Sequence, residues 1–136
     1  MKSPILPLRA AIIAVCENDA ELVSLMGGTL RLHDEPPHGS QPIYAVFGDV
    51  NASDWSTDLD RGHEQTLSIS VWCKAGSARD GLRAAERFAA LLDDAQLAPN
   101  GHRLVNLRVT AIAAARDSES RLMRARVDLR AVTEEL

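Results

Sequence analysis

Between Glu64 and Lys74 the chain alternates strictly. Leu67, Ile69, Val71 and Cys73 fall on one side; Thr66, Ser68, Ser70 and Trp72 fall on the other. A period of two fits a half-buried strand and nothing else in the regular repertoire. The pattern recurs near the end of the chain. There Met123, Ala125, Val127, Leu129 and Ala131 alternate with Arg124, Arg126, Asp128 and Arg130. Two long strands with one apolar face each require a second layer to cover them. The sequence supplies it. Ile5 to Val15 places Ile5, Leu8, Ile12 and Val15 at helical spacing. Ala78 to Leu92 does the same with Leu82, Ala85, Phe88, Ala89 and Leu92, leaving Arg79, Asp80, Arg83, Glu86 and Arg87 for water or a partner.

The remaining elements follow from punctuation. Asn18 or Asp19 caps a short helix through Ala20–Met26, and Gly27-Gly28 stops it. Thr29–Asp34 reads as a short strand before the turn at Pro36-Pro37-His38-Gly39, and Ile43–Val50 as a longer one. Asn51–Gly62 is polar and without periodicity, which makes it a loop. After the turn at Pro99-Asn100-Gly101, Val105, Leu107, Val109 and Ala111 share one strand face. Asp117-Ser118-Glu119-Ser120 joins that strand to the last one as a hairpin. The order is α-α-β-β-β-α-β-β: an α+β fold with a mainly antiparallel sheet and its helices on one face. Residues 1–136 read as one domain.

Charge narrows the function classes. The formal net charge is -4, unlike the basic balance of a dedicated nucleic-acid binder. It is also uneven: residues 17–64 carry -8, and the segments on either side carry +2 each. All but two of the basic residues are arginine, the residue suited to bidentate carboxylate pairing. No apolar run reaches the roughly 20 residues of a membrane helix, and no secretory signal is expected. Cys16 and Cys73 lack a CxxC context and read as small buried residues. Catalytic and ligand motifs are missing. His33-Asp34-Glu35 with His38 is split by two prolines, His63 and His102 are isolated, and Gly27-Gly28 lacks phosphate-loop spacing. Asp54, Asp58 and Asp60 do not follow a calcium loop. No enzyme, metal or cofactor is expected. Trp55, in a polar loop, either tucks back onto the domain or anchors an interface.

Several motifs in order then carry a resemblance. Leu22 to Gly28 is followed by Arg31-Leu32, and Ile43 to Val50 leads to Asp54-Trp55-Ser56-Thr57. Gly62 to Trp72 comes next, and Gly101-His102-Arg103-Leu104-Val105 later. From about Leu6 to Thr133 the chain resembles the tail-terminator, or tail-completion, proteins of long-tailed phages and gene transfer agents. The resemblance implies a six-membered ring on the head-proximal end of a tail tube. The ring stops tube polymerisation and offers a surface to a neck or head-completion (stopper) protein. DNA passes through its opening without specific binding, and assembly takes place in the host cytoplasm. No catalytic residue is carried over.

A globule of this length is about 37 Å across, and six in a ring leave a hole about one globule wide, enough for duplex DNA. A net-acidic ring repels phosphate and lets DNA slide. The expected contact surfaces are the acidic loop, with Asp54, Trp55, Asp58, Asp60 and Arg61, and the arginine face of Arg124, Arg126 and Arg130. The competing reading is a cytosolic nucleic-acid or small-ligand binding module of the same fold class, using Trp72 and the arginines for stacking and charge.

Overall fold

The computed structural model describes residues 2–39 and 41–136. Three helices, α1 (Ile5–Glu17), α2 (Ala20–Leu25) and α3 (Ala78–Leu92), pack on one five-stranded sheet. The strands are β1 (Leu32–His33), β2 (Ile43–Asp54), β3 (Gly62–Cys73), β4 (His102–Arg116) and β5 (Met123–Glu135). Their spatial order is β1-β2-β3-β5-β4. All neighbours are antiparallel except β1, which runs parallel to β2 and meets it at Ala45 and Val46 alone.

The core follows the alternation of β3 and β5. Leu67, Ile69, Val71 and Cys73 are buried, as are Ala125, Val127, Leu129 and Ala131. Above them sit Leu8, Ile12 and Cys16 of α1, Leu22 of α2 and Phe88 and Leu92 of α3. The α3 stripe differs from the expected one in detail: Gly81 and Ala84 are buried while Leu82 is only partly so. Small residues are needed there because the helix lies close to the sheet. A Cβ on Gly81 would fall 1.8 Å from Cys73 Sγ. Arg87, expected to face water or a partner, reaches across to α2. Its Nε and Nη2 donate to the Asp19 carboxylate at 2.9 and 2.7 Å. Asp19 also caps α2 by accepting from Leu22 N at 2.9 Å.

Three expectations need correction. The strand expected over Thr29–Asp34 contracts to Leu32–His33, because only that pair reaches β2 before Pro36-Pro37 turns the chain. The loop expected over Asn51–Gly62 contracts to residues 55–61. Asn51, Ala52, Ser53 and Asp54, polar but for the alanine, continue β2 by pairing with Thr66, Gln65, Glu64 and His63, so backbone hydrogen bonding to β3 replaces side-chain burial as the ordering force. The face assigned to β4 breaks twice. Irregularities at Leu104/Asn106 and Val109/Ala111 insert extra residues, so Leu107 is buried while Val105 and Ala111 are exposed. Ile112, on the core side after the second bulge, stays 48% exposed.

Candidate functional site

The helix-free face of the sheet and the β2–β3 loop contain the residues expected at an interface except Asp54, which ends β2 on the face of its partner His63. The loop is tightly made. Trp55 N donates to Gly62 O at 2.8 Å, and Thr57 N to Asp60 O at 2.9 Å. Gly62 N donates to Ser56 Oγ at 3.2 Å, and Asp60 N to Thr57 Oγ1 at 3.1 Å. These bonds push Asp58 and Leu59 to the tip, where Leu59 is 93% exposed. Asp54, Asp58, Asp60 and Arg61 line one open cleft together with His63 and Glu135.

Trp55 takes the first of the two courses the sequence left open. It tucks back beside Val105, Val132 and Glu134, and the Arg130 guanidinium lies 5.5 Å from its ring centroid. Even so, 54% of the residue stays accessible. Arg130 is itself held by Glu64, its Nε donating at 2.8 Å. Arg126 Nε lies 2.8 Å from Asp128 Oδ1 on the same strand. Arg124 lies 5.7 Å from the Trp72 ring centroid at the far end of β5. The structure therefore gathers Trp55, Arg130 and the acidic loop at one end of the sheet. Arg126 and Arg124 lie progressively further along, Arg124 six residue steps, about 20 Å, from Arg130. Val105 was missed as a surface residue, since its exposure arises from the bulge at Leu104/Asn106. Leu59 was missed because a lone leucine in a polar loop carries no periodic signal.

The histidines the sequence left isolated meet at the same end of the core. His63 and His102 are buried with ring centroids 6.5 Å apart. His102 Nδ1 lies 3.2 Å from Asn100 O, and its Nε2 lies 3.2 Å from Lys2 O. Gln65 Nε2 donates to Pro4 O at 3.3 Å, and Lys2 N to Glu135 Oε1 at 3.0 Å. This polar set ties residues 2–4 over the end of the core. His33 lies by Gln41 and away from His63. Among the described residues no cluster of histidine, cysteine and carboxylate groups is placed to hold a metal ion. Both cysteines lie in the core, where burial pushes the Cys73 thiol up, and burial with the nearby Asp19 charge pushes Cys16 up to about 12. Neither is an activated thiol.

The conspicuous surface features of the fold are an exposed tryptophan, an acidic loop and a row of arginines. The family model described as "Tail completion protein gp17" matches residues 10–134, and the chain belongs to that family of phage-tail structural proteins, which is not a class of enzymes. The chain is similar to one from a solved structure titled "Virion of native gene transfer agent (GTA) particle". The two are 27% identical, with a TM-score of 0.87 over 98% of this chain and 99% of the other. A second solved structure, 13% identical with a TM-score of 0.59, covers 97% of this chain and 96% of its own and shares the fold. No curated protein matches.

Proposed function

We propose that the protein forms a hexameric ring on the head-proximal end of a phage-type tail tube. The ring ends tube polymerisation, joins the tail to a neck or head-completion protein, and lets duplex DNA pass through its opening without specific binding. The observation that carries the reading is the match along nearly the whole chain to a virion component, together with membership in a tail completion family. The surface is consistent with it. The loop with Asp54, Trp55, Asp58, Asp60 and Arg61 is a contact surface toward the next copy or the tube. The arginines of β5 (Arg124, Arg126 and Arg130) present the opposite charge for such contacts. Contacts between two different patches of identical subunits close into a ring when the rotation permits.

Native mass spectrometry of the purified protein, alone and with tail tubes, tests the proposal. A six-chain species, or caps at one end of tubes in electron micrographs, is the expected result. A strict monomer that leaves tubes uncapped and still growing overturns it.

A further inference from the structure

The sheet has two open edges, and they complement each other. At one edge, β1 covers β2 only at Ala45 and Val46, and among the described residues no other strand pairs with the stretch from Phe47 to Asp54. At the other edge, the loop after α3 occupies β4 near its middle. Asp94 N donates to Leu107 O at 2.8 Å, and Val109 N donates to Asp93 Oδ1 at 3.0 Å. From Ala111 to Arg116 no strand but β5 pairs with β4 among the described residues. That stretch is exposed throughout and uncharged until Arg116. Long uncharged edges are normally blunted or covered, because their unpaired backbone groups template strand addition. The two stretches are about eight and six residues long, enough for a ladder of about 20 Å.

We propose that these edges pair with each other between copies, β4 of one protomer adding to β2 of the next. The inference rests on the ring reading above and specifies how the copies join. Three observations on the chain support a second copy as the occupant. The first is polarity. Successive long strands β2, β3, β5 and β4 are antiparallel, so β2 and β4 run in opposite senses. Rotation about a ring axis therefore brings β4 against the next β2 antiparallel, the pairing that is slightly more stable per residue. The second is charge. β4 contains Arg103, Arg108 and Arg116 and no acid; β2 contains Asp49 and Asp54 and no base. Pairing β4 with β4, or β2 with β2, would set like charges along one seam, whereas β4 with β2 sets opposite ones.

The third is geometry. Ala113 stands level with Val46 through Arg126 and Ser70. The centre of the open β4 edge is thus about 15 Å along the strands from the centre of the open β2 edge. The four long strands span about 19 Å across. A step of 15 Å along for each 19 Å across inclines the strands by about 40°, within the range of about 35–45° that closed sheets adopt. Two bulges lie at this level, one between Phe47 and Val50 and one between Val109 and Ala111, flanking the Ser68–Asp128 pair. They bend both edge strands where their open stretches begin. Gly48 sits in the first, where a Cβ would fall 2.3 Å from Ser68 Oγ.

Paired cysteines test the seam. Asn51 on β2 and Ala111, Ala113 and Ala115 on β4 are exposed on the helix-free face, while Cys16 and Cys73 are buried. Asn51→Cys is combined in turn with Ala111→Cys, Ala113→Cys and Ala115→Cys, and each ring preparation is treated with mild oxidant and a short bis-maleimide. At least one combination gives a covalent ladder reaching six chains, while the single-cysteine variants give none. Dimers from a single-cysteine variant would mean like edges meet and would overturn the proposal. A ring by native mass with no ladder from any combination overturns the edge pairing and leaves the ring standing. A protein that stays monomeric with tubes present removes the ring reading and the seam with it.

Discussion

Replacing Trp55 by alanine separates folding from assembly, because the residue is divided between the two. Its side chain has about 250 Å² to bury. With 54% accessible, about 115 Å² is covered within the protomer and about 135 Å² remains. At about 25 cal/mol per Å² the covered part is worth at most about 3 kcal/mol to the isolated fold. The Arg130 contact adds about 0.5–1 kcal/mol. The uncovered part is worth up to about 3 kcal/mol at each protomer–protomer contact if a neighbour covers it. Trp55→Ala therefore lowers monomer stability by about 2–3 kcal/mol in urea unfolding, and leaves a folded domain at room temperature. It also raises the protein concentration needed for ring formation by about 100-fold, since each 1.4 kcal/mol is a factor of ten. Trp55→Phe falls between. Urea melts give the first quantity; native mass spectrometry over a dilution series gives the second. If stability falls as stated while assembly shifts less than about threefold, Trp55 is only a clasp on its own sheet and the contact assignment is wrong. If neither changes, the stacking of Arg130 on the ring is wrong as well.

Three further predictions concern the fold that presents this surface. In an exposed helix Gly→Ala is stabilising by about 1 kcal/mol, but Gly81→Ala should destabilise by about 1–3 kcal/mol, since its Cβ meets Cys73 Sγ at 1.8 Å. Cys73→Ala should recover part of that loss in a double-mutant cycle, and additivity of the two changes would refute the contact. Asp19→Asn keeps a capping side chain but loses the ion pair with Arg87, so thermal melts at pH 7 should show it less stable than the parent. The Arg87 hydrogen bond holds the Asp19 carboxyl below its ordinary value, so its stabilisation is present above about pH 4 and lost as the pH falls further. The gap between the two proteins should accordingly close in acid; a constant gap would exclude the ion pair as its source. Finally, neither thiol should react with iodoacetamide at pH 8 in the native protein, and both should react on unfolding in urea. Native labelling at Cys16 would contradict the packing of α1.

How much of this was legible in the sequence depends on what ordered each segment. β3, β5 and α3 were readable because their apolar residues repeat and are buried by partners in the same chain. Asp19 as a cap and Gly27-Gly28 as a stop were readable because local backbone chemistry decides them. Asn51–Asp54 was not, because its order comes from pairing with residues 63–66 and its side chains carry no pattern. The meeting of His63 and His102 was not either, since it depends on the β3–β5–β4 neighbour order. Of the candidate contact residues, Trp55 and the arginine row were visible by type and spacing. That Arg130 stacks on Trp55 while Arg124 stacks on Trp72 required the register.

The largest departures share a physical origin. The misread end of β2 and the misread second half of β4 are the strand segments that lack a covering element within the protomer. A strand buried on one face by its own chain leaves a two-residue period in its sequence. A strand whose second edge is satisfied by another molecule need not, because the missing stabilisation comes from backbone groups that every residue carries. The run Ala111-Ile112-Ala113-Ala114-Ala115 fits this account: all but Ile112 are alanines that allow close backbone approach, and charge is absent until Arg116. In a protein that acts alone such an edge is an aggregation hazard. Under the edge pairing proposed above it is the seam, and the arginines on β4 and aspartates on β2 select which edge it accepts. On this account Arg116→Asp should weaken ring formation and leave the urea midpoint of the monomer unchanged, since Arg116 is exposed and its side-chain hydrogen bond to Arg121 O lies within its own hairpin. Equal ring formation by the Arg116→Asp protein would show that charge does not select the edge.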